Sequence, residues 1–191
     1  MDAAIGLPIR EPGRMTVPTT VPTASPDIAL VDAARAGDGD AFGRLYASYC
    51  RMVHGILMAR VPRLEVDDLV QDVFLTAFRK LHALRDPAAF GPWLAMIARN
   101  RAHDYHRHTP ETAELPEDIA AADASEAEAA AILALIQSLP EAYRETLVLR
   151  LVEGMTGPEI AKRTGLTPAS VRVNLHRGMK QLREKLGGRH E

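Results

Sequence analysis

The sequence predicts an all-α protein built from two small helical domains joined by a flexible acidic linker. Three observations carry this reading. Apolar residues recur at helical spacing along most of the chain, and long stretches lack the apolar–polar alternation of half-buried strands. The 47% hydrophobic content comes mainly from Ala, Leu, Val and Ile, with only 5% aromatic residues, so helices are expected to dominate. An acidic, Ala-rich interval then interrupts the periodic pattern, and 191 residues hold one ordinary core or two small ones. The single cysteine, Cys50, excludes an internal disulfide and is expected to pack within a helix. No charged-then-apolar leader and no apolar run near ~18 residues point to export or membrane insertion, so the expected location is the cytoplasm.

Residues 1–26 combine prolines with scattered Thr and Ala and no apolar period, which predicts a disordered leader whose removal leaves stability and activity nearly intact. Met15 is an equally plausible start. The first domain is expected over 27–105. "DIALVDAARAGD" reads as a short helix stopped by Gly37, with Asp40 placed to cap "AFGRLYASYCRMVHGILMARV". There Phe42, Leu45, Tyr46, Tyr49, Val53, Ile56 and Leu57 recur at helical spacing until Pro62. "EVDDLVQDVFLTAFRKL" carries a second stripe, Leu69, Val70, Val73, Phe74, Ala77, Phe78 and Leu81. Its other face shows Asp68, Gln71, Asp72 and Leu75, with Glu65 and Asp67 just before, where the helix dipole favours acids. Such a face is either a solvated, well-capped surface or a docking surface.

In "LRDPAAFGPWLAMIARNRAHDYHRH", Pro87 and Pro92 break the chain into a loop and a further helix. Leu94, Ile97 and Ala98 are expected inside, and Arg99, Asn100, Arg101, His103 and Asp104 largely outside. Trp93 reads as a core anchor or, beside this Arg/Asn-rich face, as a stacking platform for single-stranded nucleic acid. His103, His106, His108 and Asp104 lack a second cluster to complete a metal shell, so no metal or other cofactor is expected.

Residues 106–127 form the linker. Glu111, Glu114, Glu117, Asp118, Asp123 and Glu126, with Glu128 just beyond, run without a basic residue and offset basic surfaces elsewhere, which explains a formal net charge of only -2. About 20 such residues reach about 65 Å when extended, at roughly 3.3 Å each. Two modules on this tether are expected to grip separate sites of one partner, each binding poorly alone.

The second domain is expected over 128–187, followed by a tail at 188–191. In "SLPEAYRETLVLRLVEG", Ser138 and Glu141 are spaced as a capping box, Pro140 lies in the first turn, and Gly154 ends the helix. "TGPEIAKRTG" repeats the device with Thr156 and Glu159, and Ala161 is the small residue that lets two helices cross. Gly165 permits a turn, Thr167 caps, and Pro168 starts the last helix: helix-turn-helix grammar. Thr164 to Leu186 carries Arg172, Arg177, Lys180, Arg183 and Lys185 against the single acid Glu184. Val171, Leu175 and Leu182 share its buried face, so Ser170, Arg172, Val173, His176, Arg177 and Lys180 point outward, as a helix for the DNA major groove requires.

"ARAGDGDAFGRLY", "DDLVQDVFLTAFRKL", "FGPWLAMIARNRAHDY" and "LPEAYRETLVLRLVEGMTGPEIAKRTGLTPASVRVNLHRGMKQLREKL" stand in order over 27–186. In these pieces the chain resembles the extracytoplasmic-function (ECF) group of bacterial RNA polymerase sigma factors. The resemblance implies a region 2-like bundle and a region 4-like helix-turn-helix. It implies that Asp67, Asp68, Gln71, Asp72 and Leu75 contact the polymerase beta-prime clamp helices, with the beta flap as a further contact. Trp93, Arg99, Asn100, Arg101, His103 and Asp104 are implied at the opened minus-10 element, Asn100 in the base pocket. Thr167, Ser170, Arg172, Val173, His176, Arg177 and Lys180 are implied at the minus-35 duplex, with the acidic linker in the RNA-exit path. It further implies promoter DNA and an anti-sigma factor as partners. Val173 and Asn174 stand where a more polar surface is usual, so the minus-35 sequence is not assigned. With the chain ending soon after the last helix, control is expected from that separate anti-sigma protein. No nucleophile or paired-carboxylate constellation stands out, so a specificity subunit and not an enzyme is expected. A stand-alone helix-turn-helix regulator and a sigma-mimicking adaptor that binds an anti-sigma factor are the alternative readings.

Overall fold

The computed structural model describes residues 26–108 and 124–187; the leader, most of the acidic linker and the tail lie outside the described residues. Among those described, helices and short turns account for the fold and no strand occurs. The first half holds α1 (Pro26–Arg35), α2 (Gly39–Met58), α3 (Val66–Lys80) and α4 (Phe90–His108). The second holds α5 (Ala124–Gln137), α6 (Glu141–Leu151), α7 (Gly157–Thr164) and α8 (Pro168–Gly187). α4 runs past the expected boundary at 105, and α5 begins ahead of 128.

The long helix α2 is the hub of the first half. Leu45, Met52, Val53, Ile56 and Leu57 are fully buried along one side, where each apolar side chain contributes roughly 1.5–3 kcal/mol of burial. Asp38, not the expected Asp40, caps it, accepting the Ala41 N–H at 3.0 Å. The chain reverses at Gly37 (φ 99°) and enters the helix at once, so α2 starts at Gly39, two residues ahead of the expected Ala41, and Asp40 falls in its first turn. Tyr49 Oη donates to Asp27 Oδ2 at 3.1 Å, tying α1 to α2. In α3 the stripe is buried as expected except for Phe78, which is 54% exposed. It lies about 40° around the helix from Phe74 and packs edge-on against Phe42, ring centroids 5.0 Å apart.

In the second half, Glu145 through Leu149 are buried at successive positions, so α6 is enclosed on most sides. It packs against α8 and α5 within its own half and against α2 across the molecule. The expected Ser138 capping box does not form: Pro140 occupies the N-cap position, and Ser138 Oγ donates to Leu135 O at 2.7 Å. A helix capped by Ser138 needs Leu139 in α conformation, which the following proline disfavours. The reciprocal box at Thr156 and Glu159 does form, Glu159 accepting the Thr156 N–H at 2.8 Å.

The two halves meet along a seam of α2 and α4 against α6 and α7, and one cluster of buried apolar side chains runs through both.

Candidate nucleic-acid and polymerase interfaces

The helix-turn-helix is α7–turn–α8. Hydrogen bonds from Thr156 hold the Glu159 carboxyl below its ordinary pKa and fix the start of α7. Gly165 closes it in the left-handed conformation (φ 78°), its N–H reaching Ala161 O at 3.1 Å. Thr167 Oγ1 then accepts the Ser170 N–H at 3.1 Å and caps α8. Val171 and Leu182 are buried, and Leu175 is partly so. That packing leaves Thr167, Arg172, Val173, His176, Arg177 and Lys180 exposed and Ser170 half-buried. Among the described residues Arg172 and Arg177 have no ion-pair partner, and Lys180 lies 3.9 Å from Glu184. This helix therefore presents free cations and a small apolar spot, Val173, behind a rigid turn.

On α3, Asp67, Asp68, Gln71 and Leu75 are exposed and Asp72 is half-buried. Leu75 lies with Leu64 (78% exposed) and Phe78 among the exposed large apolar residues of this region. Leu64 and Phe78 were absent from the sequence reading of this face; a leucine just outside the helical stripe was the available signal. The face is an acid-rimmed apolar surface, as a docking site requires.

On α4, Trp93, Asn100 and Asp104 share one stripe at helical spacing. Trp93 is half-buried, its ring 5.9 Å from Phe90, so it anchors the helix start while one side stays accessible. Asn100 and His103 are exposed. Asp104 lies 3.6 Å from Arg107. Arg101 is not free: its Nη2 and Nε donate to Asp72 Oδ2 at 2.6 and 3.1 Å, joining the two expected interfaces. Arg99 departs furthest from the outward position expected. Its Nη2 and Nε donate to Glu145 of α6 at 2.6 and 3.0 Å.

Arg60 adds a third hydrogen bond to Glu145 at 2.7 Å. Burial alone pushes the Glu145 carboxyl pKa up, but Arg99 and Arg60 outweigh it and hold the group ionised below its ordinary value. Among the described residues no three His, Cys, Asp or Glu side chains come together as a metal site. His106 and His108 meet backbone carbonyls instead, at 2.8 and 2.7 Å. No helix among those residues is long and apolar enough to cross a membrane.

A helical bundle with exposed acidic and apolar side chains on α3, followed by a helix-turn-helix whose last helix is cationic, is the architecture of a helix-turn-helix transcription factor. Residues 45–110 match the sigma-70 region 2 family and 129–182 match sigma-70 region 4. RNA polymerase sigma factor CarQ of Myxococcus xanthus is 35% identical over 80% of this chain and 93% of its own. The ECF RNA polymerase sigma-E factor of Haemophilus influenzae is 30% identical over 84% and 95%. The structure of CnrH in complex with the cytosolic domain of CnrY superposes with a TM-score of 0.63 at 29% identity, covering 85% of this chain and 97% of that one. The chain belongs to the ECF group of RNA polymerase sigma factors, and its function is to direct RNA polymerase to promoters.

Proposed function

We infer that the three faces divide the work of initiation as follows. Asp67, Asp68, Gln71, Asp72 and Leu75 on α3 bind the polymerase clamp helices, with the beta flap meeting the second half. Trp93, Arg99, Asn100, Arg101, His103 and Asp104 on α4 take the unpaired minus-10 strand, Asn100 holding an extruded base whose unstacking costs a few kcal/mol. Thr167, Ser170, Arg172, Val173, His176, Arg177 and Lys180 read the minus-35 duplex. In this reading the chain is organised as a region 2-like unit (27–105), a linker (106–127) and a region 4-like unit (128–187). It works in the cytoplasm, performs no catalysis itself, and is held in reserve by an anti-sigma protein; the similar CnrH is likewise found in complex with another protein, the cytosolic domain of CnrY.

The observation that carries the reading is the co-occurrence of exposed acidic and apolar side chains on α3 with exposed Arg172 and Arg177 on α8, which have no ion-pair partner among the described residues. A lone DNA-binding regulator needs only the second.

The test is transcription in vitro with core polymerase on a pool of genomic promoter fragments. The wild-type chain is expected to yield new transcripts, and replacement of Asp68, Gln71 and Asp72 together is expected to abolish them. DNA binding without transcripts from the wild type returns the reading to a self-contained helix-turn-helix regulator.

A further inference from the structure

Met96 stands on the outer face of α4, 50% exposed, and no other large apolar side chain of that helix is as open to water. Leu94, Ala95, Ala98 and Ala102 take the buried side, and Ile97 packs against the core from its edge. At about 100° per residue, Met96 lies about 60° around the helix from Trp93, about 40° from Asn100 and about 20° from His103. Along the axis it lies about 4.5 Å past Trp93 and about 6 Å before Asn100. It therefore sits inside the stripe assigned to the unpaired strand, between a half-buried indole and an exposed amide.

A single exposed methionine is ordinary on a protein surface, and what sets this one apart is its company. Two arginines of the helix are already committed to acids. Arg99 donates to Glu145 at 2.6 and 3.0 Å, and Arg101 to Asp72 at 2.6 and 3.1 Å. Arg107 lies 3.6 Å from Asp104. The face is thus rich in side chains that stack or hydrogen-bond and poor in unpaired charge. Attraction to phosphates contributes little along it, so contact with the bases must contribute more.

Extruding a base creates a demand for such a contact. The bases on either side of the vacated place stand roughly 7 Å apart, twice the roughly 3.4 Å spacing of a stacked strand, and each turns a bare apolar face into the gap. Left empty, the gap closes by restacking and expels the base from its pocket. A side chain about as thick as a base can hold it open, and methionine, unbranched and polarisable, is among those that wedge between base steps.

We propose that Met96 is the plug of the opened minus-10 strand. Its side chain enters the space vacated by the base that Asn100 holds, one helical turn away, and stacks on the flanking bases. The proposal rests on the assignment of Asn100 given above and adds to it the residue that keeps the strand from closing. Because Met96 is exposed, its replacement leaves the fold intact, and its contribution is made only where a paired element has to be opened.

The test uses a promoter recovered by transcription in vitro, given to core polymerase and the full chain in two forms: fully paired, and with a mismatched bubble across the minus-10 element. Met96→Gln, close in length but polar, is expected to lower transcript yield from the paired form about tenfold, within what one base-stacking contact contributes, and from the bubble less than about twofold. Met96→Leu, apolar and of similar volume, is expected to keep most of the yield on both forms. Asn100→Ala is expected to lose yield on both, since the base must be held in either. Circular dichroism melts that match wild type confirm the fold of each variant. Equal loss by Met96→Gln on the two forms overturns the plug, and so does no loss on either, or a loss by Met96→Leu as deep as that by Met96→Gln. Asn100→Ala with wild-type yield on both forms refutes the assignment of the base pocket, and the plug falls with it.

Discussion

His54 and Glu153 show how much one contact across the seam can set. The Glu153 carboxylate raises the His54 pKa above its ordinary value, burial pulls it back, and Asp67 and Arg63 act weakly in opposite senses. Arg51 is the other cation near Glu153. Because the pKa is raised in the closed state, the contact contributes fully below the ordinary histidine value near ~6.5 and is lost as pH rises through the raised one. The closed fraction of the free chain, with the halves in contact, is therefore expected to fall as pH rises above the ordinary histidine value, and His54→Gln to flatten that profile; the distance between dyes on the two halves, read against pH, checks this, and an identical slope in the variant refutes it. On the DNA side, Arg172→Ala and Arg177→Ala are each expected to cost on the order of 1–3 kcal/mol of promoter binding, measured by titration. Both arginines were legible in the sequence because a surface position on a well-capped helix follows from its period alone. Arg99 was legible only as a helix-surface cation, since nothing local says that Glu145, 46 positions on, will meet it.

At the scale of elements, helix ends obey short-range rules where the chain offers one choice and escape reading where it offers two. Thr156, Glu159 and Gly165 bracket α7 with no competitors nearby, and the structure follows them. Asp38 and Asp40 competed for the start of α2, and the turn at Gly37 decided for Asp38. Asp38→Ala is expected to lower the unfolding free energy by about 1 kcal/mol in urea melts, and Ser138→Ala, which removes no cap, by much less. The stripes of α2, α3 and α8 were legible by period, with Phe78 misplaced because the edge of a stripe is set by the neighbouring helix and not by spacing. Glu145, at the head of the run "ETLVL", was the overlooked signal: an acid on a helix whose next residues are buried in succession needs a buried partner.

For the whole molecule, the shared core makes cooperativity the measurable property. Because buried apolar side chains form one cluster through both halves, the wild-type chain is expected to unfold in a single transition. A Cβ at Gly55 would stand 2.8 Å from both Glu153 Cγ and Leu149 Cδ2 of the other half. Gly55→Ala, by parting the halves, is expected to split it in two, read by circular dichroism against urea; a wild type that already melts in two steps contradicts the shared core. The sequence signalled two helical units correctly but not their closure, because the acidic interval argues for separation while Gly55 and the acids that bring the halves together lie inside helices that look ordinary. One consequence concerns salt. Glu145 grips Arg99 through two parallel N–H···O contacts, the same fork by which arginine holds a phosphate. Added salt screens the internal imitation along with DNA itself, freeing binding sites while weakening each of them. DNA affinity of the intact chain should thus fall less steeply with ionic strength than that of the Gly55→Ala form, and the difference between the two slopes counts the charges the protein spends on itself.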